Sequence, residues 1–228
     1  MTESLGDRMK ANYEKRSEYK LLRRMPVIIR LDGRCFHSLT HKCVKPFDSI
    51  LSDSMEHTAR YLCDEIQGAK CAYTQSDEIS VLVIDYDTLT TQAWFDYNLQ
   101  KVVSISAALA SVYFSSAFHE AVQFDSRAFN LPIDEVANYF IWRQKDWIRN
   151  SVEMLTRSHY SAKQLLNKSQ SEMHEMLHQK GVSWADLPPR FKNGVFITKT
   201  VLNGWVTRDD IIFTQDRLFV ELHLTRKD

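Results

Sequence analysis

Four short runs rich in β-branched and aromatic residues alternate with two long stretches of helical spacing, and this order limits the fold more than any other feature. Residues 27–32 (VIIRLD) follow Pro26 and read as a buried strand, punctuated by Gly33. Across residues 49–67, Leu51, Met55, Thr58, Ala59, Leu62 and Ile66 share one helical face, with Asp48 or Ser49 as N-cap and Gly68 as the stop. KCAYT and EISVLVID then form two strands joined through Gln75-Ser76-Asp77, a polar hairpin connection. Helical spacing resumes over residues 91–118, through Phe95, Leu99, Val102, Ser106, Leu109 and Tyr113, and residues 121–131 read as a fourth strand. The order β-α-β-β-α-β predicts an α+β fold of the ferredoxin-like kind, with an antiparallel sheet, both helices on one face and the other face free for a substrate.

Flanking segments add to this core. Residues 4–24 read as helical. After Pro132 the spacing predicts helices over 133–157 and 161–178, followed by two strand-like runs, GVFITKTVL and DIIFTQ, around Gly204-Trp205. Residues 1–131 are therefore expected to form the core, and residues 132–228 a helix-rich extension with terminal strands folded onto it.

Composition excludes several classes. Of the 228 residues 44% are apolar and 25% charged, as in a globular protein that buries a core. No apolar run approaches the ~20 residues of a membrane span, and MTESLGDRMK is too polar for a secretory signal. Cys35, Cys43, Cys63 and Cys71 form no CxxC pair, so reduced thiols and a cytoplasmic location are expected rather than a zinc site or disulfides. With 29 basic and 29 acidic residues the net charge is zero, which argues against a protein that coats nucleic acid by charge alone. Basic residues still cluster, at Lys10, Lys15, Arg16, Lys20, Arg23 and Arg24, and at Arg143, Lys145, Arg149, Arg157, Lys163 and Lys168. Each cluster reads either as a solvated helix face or as an RNA contact.

The carboxylates carry the chemistry. Asp32 ends the first strand, while Asp77 and Glu78 sit at the hairpin turn. In a ferredoxin-like sheet the first and third strands are antiparallel neighbours, so Asp32 is expected within a few ångströms of Asp77 and Glu78. Carboxylates crowded in this way repel, and a divalent cation relieves them. Oxygen donors suit Mg²⁺, and two such ions serve in-line phosphoryl displacement. Gly33 adds a carbonyl unobstructed by a side chain. Arg30, Arg34, His37, Lys45 and Lys101 supply positive groups for a triphosphate, and Ser76 a hydroxyl. Without metal, the same residues read as an acidic turn and a capping aspartate.

At RLDGRCFH (30–37), KPFD (45–48), AYTQSDEIS (72–80) and WRQKDW (142–147) the chain resembles the tRNA-His guanylyltransferase superfamily, and within it the Thg1-like proteins. The resemblance implies a core similar to the polymerase palm, and 3′–5′ nucleotide addition to the 5′ end of tRNA. It implies two Mg²⁺ ions held by Asp32, the Gly33 backbone and Asp77, with Glu78 in support. GTP, ATP or other nucleoside triphosphates are the implied substrates. It places His37, Lys45, Asp48, Ser76 and Lys101 at positions of nucleotide binding or 5′-end activation. Arg30, Arg34, Cys35 and Phe36 beside them are expected at the nucleotide as well, and Arg143, Lys145, Arg149 and Lys168 of the basic cluster, with Asn150, are expected on a tRNA-facing surface. The resemblance also implies a homotetramer.

Two departures bear on the substrate. Where the eukaryotic enzymes carry a His-Ile-Asn-Asn block, this chain has Ile148-Arg149-Asn150-Ser151, and an arginine used there for activation aligns with Asn98. Both favour template-dependent repair of truncated tRNA over addition of the extra guanosine of tRNA-His. That guanosine addition, a non-catalytic RNA-binding palm and a nucleotide cyclase are the alternatives.

Overall fold

The computed structural model describes residues 3–225. Its strands are β1 (Val27–Gly33), β2 (Ala69–Gln75), β3 (Glu78–Val83), β4 (Phe124–Asn130), β5 (Val195–Thr200) and β6 (Gly204–Arg208). Its α-helices are α1 (Leu5–Met9), α2 (Phe36–Thr40), α3 (Ser49–Glu65), α4 (Leu99–Phe118), α5 (Ile133–Arg157), α6 (Ala162–Leu165), α7 (Gln170–Gln179), α8 (Pro189–Asn193) and α9 (Arg217–Glu221). The strands form one sheet in the order β4-β1-β3-β2-β5-β6, and every pairing is antiparallel. The β-α-β-β-α-β order of β1, α3, β2, β3, α4 and β4 is the expected one. Beyond residue 131, β5 and β6 continue that same sheet.

Alternation along the strands divides the core into two layers. Val27, Ile29, Leu31, Ile79, Val81 and Val83 pack against Met55, Ala59 and Leu62 of α3 and Val102, Ala110 and Phe114 of α4. Ile28, Tyr73, Leu82 and Phe196 pack on the opposite side against Val136, Ala137 and Phe140 of α5, together with Phe213 and Val220. The second face is thus covered, against the expectation of an open one. VII and VLVI are apolar at consecutive positions, so both faces of these strands lose water only if both are covered. What remains open is the end of the sheet, where β1 stops and the β2–β3 hairpin turns.

Other differences have local causes. Helical structure at the N-terminus ends at Ser17, and its residues are all exposed, so no packing extends it. Residues 18–22 instead leave the helix, with Lys20 bridging to Asn98 and Leu21 donating to the Tyr97 carbonyl at 3.0 Å, before a turn at residues 23–24. The helix predicted from residue 91 starts at Leu99, because Phe95, Asp96 and Tyr97 all have positive φ and Asn98 caps the Lys101 amide. By length and hydropathy (20 residues, 1.4) α4 equals a membrane span, a reading the shorter apolar runs of the sequence did not suggest. Here its Val102–Phe114 face seals the sheet. Residues 161–178 break into α6 and α7 around Asn167 at φ +61°, where Ser169 and Glu172 form a capping box.

DIIFTQ is not a strand; β6 forms earlier, from Gly204. Ile211 and Phe213 are buried nonetheless, because the Gln144 amide replaces a ladder for them. Its Nε2 donates to the Ile211 carbonyl at 2.9 Å, and the Phe213 amide donates to its Oε1 at 2.9 Å.

Candidate active site

The register of β1 with β3 puts Asp32 directly opposite Glu78, and the Gly33 amide donates to the Asp77 carbonyl at 2.9 Å. The end of β1 is thereby tied to the hairpin tip. Gln75 pairs with Glu78, which leaves a two-residue turn whose first residue, Ser76, has φ +50°. At Gly33 a Cβ would meet the Phe36 ring at 2.2 Å, so only glycine lets the chain turn over that ring into α2. Asp77 is held above its ordinary value of 3.8. Burial is the largest cause; the Ser76 hydroxyl pulls the other way, and the charges of Asp32 and Glu78 add to the rise.

Two adjoining cavities open beside this pair. One, of about 80 Å³, is mostly apolar and lies between residues 43–48, α3, α5 and α8, with Phe47, Trp147 and Phe191 among its walls. The Phe47 and Phe191 rings stack at 4.9 Å and Trp147 meets Phe47 edge-on. The other, of about 470 Å³, contains Asp77, Ser76, His37, Lys45 and Arg157. Thr40, Lys45, Pro46, Leu51, Ser76 and Met154 border both. An apolar slot continuous with a cation-lined, carboxylate-floored opening matches the two ends of a nucleoside triphosphate.

The model of the tRNAHis guanylyltransferase family matches residues 6–132, more than half of the chain. The chain belongs to this family. It is a Thg1-family nucleotidyltransferase. It is similar to a bacterial Thg1-like protein solved in complex with ATP, at 43% identity and a TM-score of 0.93, covering 97% of this chain and 99% of that one. The GTP complex of a bacterial Thg1-like protein matches at 43% identity over the same shares, with a TM-score of 0.88. A probable tRNA(His) guanylyltransferase of Dictyostelium discoideum is 27% identical over 88% of this chain and 86% of its own length.

Among the described residues no three His, Cys, Asp or Glu side chains gather in metal-binding geometry. One carboxylate of the turn, Glu78, is already paired. Only 3% exposed, it faces α5, where Arg143 Nε and an Arg143 terminal nitrogen each donate to it at 2.7 Å. Arg30 closes on the same carboxylate at 2.6 Å. Asp32, Asp77 and the glycine backbone are left as the candidate donors. A hard oxygen set with two crowded carboxylates fits Mg²⁺.

Several residues sit elsewhere than the sequence suggested. Arg143, read as a tRNA contact, is 4% exposed and spends its guanidinium on Glu78 and Asp146. Burial works against its charge, but Glu78 outweighs it and raises the pKa further. Arg30 is likewise committed to Glu78. The Phe36 ring packs in the core against Phe114 and Phe124, and the residue also borders the larger cavity. Arg34 bonds Gln123 at 2.7 Å, in a separate depression that the exposed Cys35 also lines. Asp48 receives the Leu51 amide at 2.9 Å and the Val44 amide at 2.8 Å, and so braces the loop that walls the slot. Burial pushes its carboxyl up, but these amides and that of Ile50 hold it below the usual range. Lys101 is exposed at the start of α4 and lines neither cavity. Lys145 and Arg149 are exposed on α5, Asn150 is half-buried beside them, and Lys168 pairs with Glu172 at 2.9 Å.

Phe191, Phe47 and Arg157 were missed as cavity residues. Arg157 belonged to the basic cluster, but nothing local marked it as facing the site. Arg143 had a legible signal: it shares a helical stripe with Val136, Phe140 and Trp147.

Proposed function

We propose that this enzyme repairs the 5′ ends of truncated tRNAs by template-dependent 3′–5′ nucleotide addition. The observation that supports this reading is that the end of β1, which carries Asp32 and Gly33, is tied to the hairpin tip whose Asp77 lines the larger cavity. In this reading the apolar slot takes the base, while Lys45, His37, Ser76 and Arg157 orient the triphosphate. Asp32, Asp77 and the Gly33 backbone would hold two Mg²⁺ ions. When bound, these ions stabilise the charge on the attacking and leaving oxygens of an in-line displacement. The 3′-hydroxyl of the incoming nucleotide attacks the 5′-terminal phosphorus of the tRNA, forming the phosphodiester and expelling pyrophosphate from a triphosphate end or AMP from an adenylylated one, and Lys101 is assigned to that end. GTP and ATP are the expected substrates, since bacterial Thg1-like proteins of 43% identity hold each of them. Lys145, Arg149, Asn150 and Lys168 are the expected tRNA contacts, without Arg143. The βαββαβ order supports a palm-like core, and a homotetramer is the expected assembly.

The matching family model favours a second reading, addition of the extra guanosine to tRNA-His. Ile148 and Asn98, standing where that activity uses histidine and arginine, favour repair. The test is incubation with a 5′-shortened, 5′-triphosphorylated tRNA, Mg²⁺ and all four nucleoside triphosphates. Restoration of the missing nucleotide against its template base is expected; a clear preference for full-length tRNA-His would defeat the repair reading.

A further inference from the structure

Glu78 adjoins a candidate metal ligand yet is closed to metal, and the group that closes it comes from the opposite layer of the protein. Its two oxygens accept from Arg143 at 2.7 Å each and one also meets Arg30 at 2.6 Å. The side chains of Glu78 and Arg143 are 4% and 5% exposed, and that of Arg30 is 19% exposed. Arg143 is fixed in turn by Asp146 at 3.1 Å and by the Trp142 ring, 4.4 Å from the guanidinium carbon. Arg30 lies on β1 two residues before Asp32, and Glu78 lies on β3 directly after Asp77. The three charged groups therefore join α5 to both strands that deliver the metal-facing aspartates.

We propose that Arg143 is a positioning residue: with Arg30 it pins Glu78 and so sets the separation of Asp32 and Asp77, which makes α5 a determinant of divalent-cation affinity. This rests on the reading of Asp32 and Asp77 as the metal pair. Bidentate geometry is the physical core of the argument. A planar fork fixes both the direction and the distance of a carboxylate, whereas a lysine ammonium neutralises it without orienting it. A residue that only balanced the charge of Glu78 would tolerate lysine; one that positions would not.

The experiment measures Mg²⁺-dependent GTP binding by calorimetry, without tRNA, for wild type, Arg143→Lys and Arg143→Met, with tRNA affinity and thermal midpoint measured in parallel. Both variants are expected to raise the Mg²⁺ concentration needed for half-maximal GTP binding by about tenfold, the lower end of the effect of losing an outer partner of a metal site. Affinity for tRNA should stay within twofold of wild type. Arg143→Lys keeps the charge and much of the length, so it carries the test if Arg143→Met does not fold. Unchanged Mg²⁺ dependence in Arg143→Lys overturns the proposal, as does lost tRNA affinity with normal Mg²⁺ dependence, which would return Arg143 to the RNA surface. Failure of the metal reading itself looks different: wild-type GTP binding would then be indifferent to Mg²⁺ and to Asp32→Ala.

Discussion

Asp77 and Glu78 are consecutive carboxylates in opposite circumstances. Asp77 faces an open cavity with another carboxylate beside it, and its proton affinity is raised. Glu78 faces the α5 layer with two arginines on it. The first is an arrangement that gains from a cation; the second is already neutralised and closed. Adjacency in sequence therefore says little about shared duty, because the strand begins between them and sends its first side chain to the packed face.

The largest effect should separate these two places. Asp32→Ala or Asp77→Ala is expected to abolish nucleotide addition with tRNA binding nearly intact, since several kcal/mol of charge stabilisation are lost. Residual rates within tenfold of wild type, in single-turnover assays, would refute the metal assignment. At Glu78 the expected loss is one of folding. Glu78→Ala leaves two arginines without their carboxylate, one of them fully buried, at a cost of about 3–5 kcal/mol in denaturant titration. Unchanged stability with lost activity would make Glu78 a ligand after all and erase the contrast.

A smaller effect concerns pH. The raised folded pKa of Asp77 favours the metal-free protein when the group is protonated, and that contribution is lost as pH rises through the folded value, above 3.8. Mg²⁺ binds the deprotonated pair, so its stabilisation should grow over the same acid range. Thermal midpoints with and without Mg²⁺ should differ more at pH 7 than at pH 4; an equal difference would place the ion elsewhere. The smallest expected change is on the outer face of α5, where Lys145→Gln and Arg149→Gln should each weaken tRNA binding and lower its salt slope by about one. Filter binding across salt concentrations checks this, and superimposable curves would leave these cations as solvated surface.

Much of the site was legible because it depends on local pattern and pairing. The VIIRLD and EISVLVID runs fixed two strands, and their antiparallel register carried Asp32 to Glu78 as expected. The walls of the slot were not legible, because Phe47, Trp147 and Phe191 come from three separate segments that meet only when α5 and α8 dock. The DIIFTQ segment misled for a related reason. Its apolar spacing suits a strand, but its backbone bonds to a single glutamine on α5.

The sequence by itself determined the order of elements, the antiparallel neighbours and the convergence of two aspartates beside a glycine, since these follow from periodicity and chain connectivity. Only the tertiary structure decided that Glu78 is taken up by two arginines and that Arg143 points inward to meet it. Both outcomes depend on the packing of α5 across the second face of the sheet, where desolvation leaves a buried carboxylate and a buried guanidinium no better partners than each other.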